Sequence, residues 1–209
     1  MTEYTWGVYL RPDPVTCKAI KEITDLCVRQ FGIVSAAAFA PHATLAGAVP
    51  SDASAEDFIE IVDTLLANTA SFPVFNAGIT RGTDVVYYDI DKLQSGEINQ
   101  PLHDLATAVN QTIAPITAYK PSEWSRPFVP EKFWAHFSLA SHDLRAREDL
   151  RDEVEEFIRA LPIDFSQSFQ AEWITLFRFH SADWNGQWWH DLTWEHVKSW
   201  RLPQVDKFR

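Results

Sequence analysis

Two short stretches of this chain nearly repeat each other: His42–Ala46, which reads HATLA, and His136–Ala140, which reads HFSLA. Each contains a histidine, one further residue, a hydroxyl residue and then Leu-Ala. In an extended strand, residues two positions apart point to the same side. Each stretch is therefore expected to present an imidazole and a hydroxyl group on one face. Two such strands facing each other would surround one small volume with groups suited to acid–base chemistry on a phosphate.

The two stretches occupy equivalent places in two halves of similar order. His136 follows His42 after about half the length of this 209-residue chain. Each half is predicted to contain a helix, the histidine strand, a second helix and further strands. We interpret this order as an internal duplication, in which the two histidine strands face each other across a pseudo-twofold axis.

Local signals predict where the helices and strands begin and end. Asp13 is expected to cap a helix that has Pro14 at its first position and Gly32 after its end. Ser54 and Asp57 form a capping box for a helix that runs to about Ala67. The segment 115–130 contains four prolines and is expected to be neither helix nor central strand. The other predictions are helices at 98–113 and 144–161, strands at 5–10, 39–46, 133–140 and 192–200, one or two strands in 165–179, and a hairpin of strands 72–80 and 85–90.

Composition limits the classes of protein and of partner. A chain of 209 residues fits one domain or two intimate lobes, and 46% hydrophobic residues are ample for a packed core. The net charge of −11 argues against binding to duplex nucleic acid. No apolar run is long enough to span a bilayer and no signal peptide is evident, so we expect a cytoplasmic protein without membrane contact. Cys17 and Cys27 are expected to be reduced core thiols.

The two His-x-Thr/Ser motifs at this separation resemble the signature of the 2H phosphoesterase superfamily, which includes the 2'-5' RNA ligase-like proteins. Pro41 before the first histidine strengthens the resemblance. The first strand and the Thr193–Glu195 stretch are most similar to the eukaryotic-type cyclic phosphodiesterases. Three departures are Ala135 in place of a proline, Ser138 in place of a threonine, and a tryptophan-rich segment at 184–200.

The resemblance implies an α+β fold in one bilobal domain covering residues 1–209. Its two pseudo-symmetric lobes of antiparallel sheet would have helices packed outside and a central cleft. It also implies metal-independent hydrolysis of a cyclic phosphodiester without a cofactor, most simply a ribose 2',3'-cyclic phosphate or ADP-ribose 1'',2''-cyclic phosphate. The ligand would be a small nucleotide or an RNA-terminal cyclic phosphate, and the protein would serve RNA metabolism.

The catalytic residues implied by the resemblance are His42, Thr44, His136 and Ser138. One neutral imidazole would act as the base and its protonated twin as the acid, while the hydroxyls would stabilise the phosphate oxygens. We assign His42 as the base and His136 as the acid, although the pseudo-symmetry of the sequence leaves this direction open. The candidate substrate-binding residues are Tyr9, which matches an aromatic residue of the family's first strand, Tyr87, Trp124, Arg126 and Trp134.

Two other functions remain open at the level of the sequence. One is hydrolysis or ligation of 2'-5' linkages in oligonucleotides, against which the acidic charge and the lack of Lys/Arg clusters argue. The other is a non-catalytic module that binds nucleotides or RNA ends, against which the intact histidine and hydroxyl pairs argue. The other five histidines share no metal-ligand spacing, and most of them are expected to be surface residues or hydrogen-bonded structural residues. A monomer is expected because no heptad or exposed apolar stripe is evident.

Overall fold

The computed structural model describes residues 4–118 and 126–204. Nine strands and four helices lie within these ranges. The strands are β1 (Thr5–Arg11), β2 (Ala43–Pro50), β3 (Phe72–Phe75), β4 (Gly78–Arg81), β5 (Val86–Asp89), β6 (His136–Ala140), β7 (Ser168–Ala171), β8 (Trp173–His180) and β9 (Thr193–Arg201). The helices are α1 (Pro14–Phe31), α2 (Ala55–Leu66), α3 (Gln100–Ile113) and α4 (Arg151–Ala160).

Seven strands form one antiparallel sheet in the order β4-β5-β6-β2-β1-β8-β9. The histidine strands β2 and β6 are neighbours at its centre, and Ala43 pairs with Phe137. The strands β3 and β7 form a separate two-stranded sheet. The fold class predicted from the sequence, α+β with antiparallel sheet and helices packed outside, is confirmed.

Each histidine strand is covered by the helix that precedes the other histidine strand. The helix α1, which comes before β2, packs against β6, and α3, which comes before β6, packs against β2. The helix α4 packs on α1, and α2 packs on α3. The helix that precedes each histidine strand therefore covers the histidine strand of the other half of the chain. We call β4, β5 and β6 with α1 and α4 one lobe, and β2, β1, β8 and β9 with α2 and α3 the other lobe.

The predicted helix caps are present. Asp13 accepts a hydrogen bond from the backbone N–H of Val15 (2.9 Å), and Gly32 ends α1 in the left-handed conformation with φ 69°. Ser54 and Asp57 form the predicted capping box of α2. Both caps satisfy backbone groups that a helix leaves without partners at its ends. Cys17 and Cys27 are free thiols, and Cys27 is buried.

Several predicted boundaries were wrong. The first histidine strand begins at Ala43 rather than at residue 39, because Pro41 has no N–H to donate to a neighbouring strand. The predicted strand 72–80 is two strands in two sheets, separated where Gly78 has φ 104°. The last helix begins at Arg151 rather than at residue 144, since short 3-10 turns occupy most of 142–150. The second histidine strand begins at His136 rather than at residue 133.

Candidate active site

The pairing of Ala43 with Phe137 brings the two motifs together. Both residues are fully buried and point into the core between the sheet and its helices. The neighbouring positions point to the opposite face. In an antiparallel pair, the register on either side of Ala43–Phe137 places His42 opposite Ser138 and Thr44 opposite His136. Each histidine therefore lies across from the hydroxyl residue of the other motif.

His42 is held by a backbone hydrogen bond and by aromatic contacts. Its Nδ1 lies 2.8 Å from the Ala40 carbonyl oxygen. A carbonyl only accepts, so Nδ1 donates and the neutral ring carries its lone pair on Nε2. The Phe39 ring stacks on the imidazole at 4.2 Å, and the Tyr9 ring meets it at an interplanar angle of 75°. These contacts restrict the orientation of the ring.

His136 has a matching environment in the other lobe. Its Nδ1 lies 3.0 Å from the Trp134 carbonyl oxygen, again two residues earlier in the chain. Its ring contacts Tyr87 at 5.3 Å and Trp134 at 5.4 Å between centroids. Tyr87 pairs with Ser138, just as Tyr9 pairs with Thr44. The pseudo-symmetry therefore extends from the motifs to the aromatic residues around them.

The charges around the two histidines break this symmetry. Asp89 is the backbone partner of His136, and it lies on the same face of the sheet. At the corresponding position of the other lobe stands Arg11, whose guanidinium lies 4.5 Å from the Trp173 ring. The His136 side therefore carries a carboxylate where the His42 side carries a cation that is directed toward a tryptophan.

Burial and these charges shift the pKa of the two imidazoles. Burial lowers the pKa of His42 to about 4, against a smaller rise from the bond to Ala40, and a positive charge on His136 lowers it further. Burial also lowers the pKa of His136, but the bond to Trp134 and the carboxylates of Asp89 and Asp91 raise it. Within the part of the chain that the structure describes, carboxylates favour the protonated form of His136 and have no such effect at His42.

Asp91 anchors the segment that leads into His136. Its buried carboxylate accepts hydrogen bonds from the Ala135 N–H (3.0 Å) and from the His103 ring (2.7 Å). His103 belongs to α3, so this bond connects the helix to the start of β6. The expectation that His103 is structural agrees with this contact.

A cavity of about 290 Å³ opens beside His42 and Thr44. Gly47 and Ala48 line it where β2 contains a bulge, and Ala48 has the left-handed φ of 49°. A bulge bends a strand and re-aims its side chains, here at the wall of the cavity. The remaining wall consists of Thr5, Tyr9, Phe39, Phe179, His142, Trp184, Trp188 and Leu192.

The structure places the predicted site residues as follows. Thr44 and Ser138 share the face of the two histidines, and Tyr9, Tyr87 and Trp134 contact an imidazole. Tyr9 is 5% exposed and also lines the cavity. Arg126 is exposed, and Trp124 lies outside the described residues.

Sequence reasoning did not identify Phe39, Asp89, His142, Trp184 and Trp188 as site residues. Phe39 and Asp89 could have been found from local patterns. Phe39 lies close in sequence to the first motif, and Asp89 lies on the same strand face as Tyr87. His142, Trp184 and Trp188 have none, since they reach the site only through the path of the chain around the sheet.

The fold is that of the 2H phosphoesterases, as expected from the motifs. The E. coli LigT structure complexed with 3'-AMP is 17% identical, with a TM-score of 0.53, over 97% of this chain and 99% of that chain. LigT complexed with NADP+ is 19% identical, with a TM-score of 0.53, over 98% and 100%. The TT0787 protein of Thermus thermophilus is 13% identical, with a TM-score of 0.57, over 96% and 98%. No protein-family model and no curated protein matches the sequence.

The described residues contain neither a membrane-spanning helix nor a cluster of metal ligands. No helix within residues 4–118 and 126–204 has the length and apolar character needed to cross a membrane. The same ranges contain no group of three or more His, Cys, Asp or Glu side chains arranged to hold a metal ion.

Proposed function

We propose that this protein hydrolyses a cyclic phosphodiester, a ribose 2',3'-cyclic phosphate, to the 2'-phosphate. The observation that carries the proposal is the arrangement of the two imidazoles. Both lie on one face of adjacent strands at diagonal positions, and both donate Nδ1–H to the carbonyl two residues earlier. Diagonal cross-strand neighbours are about 7–8 Å apart. That separation allows a phosphorus atom to lie between the two Nε2 atoms.

His42 serves as the general base. Its lowered pKa keeps the imidazole neutral near pH 7, and its lone pair lies on Nε2. A water molecule attacks phosphorus while Nε2 of His42 takes its proton. Proton transfer by a positioned side chain contributes about 10²- to 10⁴-fold to rate.

His136 serves as the general acid. The bound phosphodiester brings a negative charge between the imidazoles and raises the pKa of both. Asp89 and Asp91 favour the protonated form at His136, and no carboxylate of residues 4–118 and 126–204 has this effect on His42. The P–O3' bond breaks, and Nε2–H of His136 protonates the departing ribose oxygen.

Thr44 and Ser138 donate hydrogen bonds to the non-bridging phosphate oxygens. Each lies opposite the histidine of the other motif, so both hydroxyls border the space between the rings. Preorganised donors stabilise the charge that develops on these oxygens in the transition state. The imidazolium and the two hydroxyls thus supply the electrophilic groups of a metal-independent reaction.

The comparisons support a small nucleotide as the ligand. E. coli LigT has been solved with 3'-AMP and with NADP+, so a protein of this fold binds nucleotides. The cavity of about 290 Å³ beside His42 lies just below the usual range of ligand pockets. It has room for one nucleoside-sized group.

The test is incubation with the four 2',3'-cyclic nucleotides, with and without EDTA. We expect conversion to 2'-phosphates at the same rate in both. His42→Ala and His136→Ala should each lower kcat by at least about 10²-fold. His180→Ala, on the opposite face of β8, is the matched control and should retain activity. Near-normal turnover by either catalytic variant would contradict the two-histidine mechanism.

A further inference from the structure

A loop of the second half covers the cavity on the side of His42. This tryptophan loop, residues 181–192, is held in shape by its own hydrogen bonds. The Asp191 carboxylate accepts from the Ser181 hydroxyl (2.6 Å) and from the Ala182 N–H (2.8 Å), and Asp183 accepts from the Gln187 N–H (3.1 Å). The loop therefore has a defined conformation.

The tryptophan loop gives the cavity flat, aromatic walls. Trp184 and Trp188 both line the cavity, and their rings are inclined by 28° with centroids 6.4 Å apart. His142, which follows β6, meets Trp188 at 5.3 Å and lines the cavity from the other lobe. Such walls suit a planar ring, because aromatic side chains stack on the faces of nucleobases.

Two buried polar atoms that lack partners belong to residues lining this cavity. The indole Nε1 of Trp184 and the hydroxyl of Thr5 are both buried, and neither has a hydrogen-bond partner within residues 4–118 and 126–204. Thr5 is 8% exposed, and both residues line the cavity. Buried polar groups are nearly always paired, so each orphaned group requires an explanation. A ligand that is flat and has polar atoms along its edge would satisfy both.

We propose that the tryptophan loop and Thr5 form a subsite that binds the nucleobase of the substrate. This inference rests on the proposed function, since the phosphate is taken to lie at the His42–Thr44 end of the same cavity. Trp184 donates its N–H to a ring nitrogen or carbonyl oxygen of the base, and the Thr5 hydroxyl bonds a second edge atom. Trp188 provides a stacking surface.

The experiment compares substrates that have a nucleobase with one that lacks it. Each 2',3'-cyclic nucleotide is measured against 1-O-methylribose 2',3'-cyclic phosphate, which has no base. The variant Trp184→Phe keeps an aromatic ring and removes the N–H, and Thr5→Val keeps the shape and removes the hydroxyl. Trp200→Phe is the matched control, because it also removes an indole N–H, which in this case donates to Asp63 away from the cavity.

We expect Trp184→Phe and Thr5→Val each to raise KM for the nucleotides about threefold to tenfold, the effect of one lost neutral hydrogen bond. Trp188→Ala should raise it about fivefold to 100-fold through lost stacking. None of the three should change KM for the substrate without a base, and kcat should stay the same. Equal changes with both substrates, or equal KM values in the unaltered protein, would overturn the subsite and leave the proposed hydrolysis intact.

If no substrate turns over, a measurement of ligand binding still tests the base subsite independently of the proposed hydrolysis. Tryptophan fluorescence then measures the binding of uridine 2'-phosphate and of ribose 5-phosphate. Tighter binding of the nucleotide, weakened by Trp184→Phe, would support the base subsite while the proposed hydrolysis fails. Equal binding of the two ligands, or no binding of either, would overturn the subsite.

Discussion

Ala43 of β2 pairs with Phe137 of β6 at the backbone position where the two lobes join. Both side chains point into the core, and Phe137 is 0% exposed. The four residues that flank this pair carry both histidines and both hydroxyls. The geometry of the proposed site therefore depends on how this one pair packs.

Phe137→Ala should lower the free energy of unfolding by about 3–5 kcal/mol, because it leaves a cavity beneath both motifs. Chemical denaturation measures the loss, and the activity should fall with it. Phe137→Leu fills more of the space and should cost less. A stable and fully active Phe137→Ala variant would contradict the dependence of the site on this pair.

Thr44→Val and Ser138→Ala should each lower kcat by about 10²- to 10³-fold with a smaller change in KM, because the hydroxyls act on charge that develops in the transition state. Steady-state kinetics with a 2',3'-cyclic nucleotide provide the measurement. Thr64→Ala, on the exposed side of α2, is the control for loss of a threonine hydroxyl. Loss of binding without loss of kcat would show that the hydroxyls only hold the substrate.

The dependence of kcat/KM on pH should be bell-shaped with its maximum at mildly acidic pH. His42 must be neutral, so activity falls as pH drops to its pKa of about 4. His136 must be protonated, so activity falls as pH rises through its pKa, which lies below the usual 6.5. The alkaline limb of kcat should lie at higher pH than that of kcat/KM, since bound phosphate favours the imidazolium. If the alkaline limbs of kcat and kcat/KM coincide, the bound phosphate does not raise the pKa of His136.

Asp89→Asn should move the alkaline limb of kcat/KM to lower pH. The carboxylate raises the pKa of His136, so its neutralisation makes the acid lose its proton more easily. The acidic limb, which belongs to His42, should stay in place. Asp104→Asn on α3 is the control and should move neither limb. A shift of the acidic limb instead would show that His136 is the base and His42 the acid.

Gly7→Ala should displace the Tyr9 ring and, through it, His42. An added Cβ would lie 2.2 Å from the Tyr9 hydroxyl oxygen, far closer than atoms approach. We expect a loss of about 1–3 kcal/mol of unfolding free energy and a lower kcat. In the Tyr9→Ala background the clash is gone, so Gly7→Ala should cost little there. Equal costs in both backgrounds would show that Tyr9 is not the residue displaced.

Short-range sequence patterns were sufficient to predict the helix caps and the alternation of side chains within the two motifs. Asp13, Pro14 and Gly32 define the bounds of α1, and Ser54 with Asp57 defines the start of α2, because helix caps depend on neighbouring residues. The alternation within the two motifs determined that each histidine shares a face with its hydroxyl residue.

The pairing of the strands and the surroundings of the histidines depend on tertiary contacts. Three such contacts join distant parts of the chain. They are the pairing of β3 with β7, the packing of α1 on β6 and of α3 on β2, and the register at Ala43–Phe137. The carboxylate of Asp89 beside His136 and the tryptophan loop over His42 follow from that register and packing. Neighbouring residues indicate that Asp89 shares a strand face with Tyr87, but not that it lies beside His136, because packing of the whole core selects one pairing among many that local structure permits.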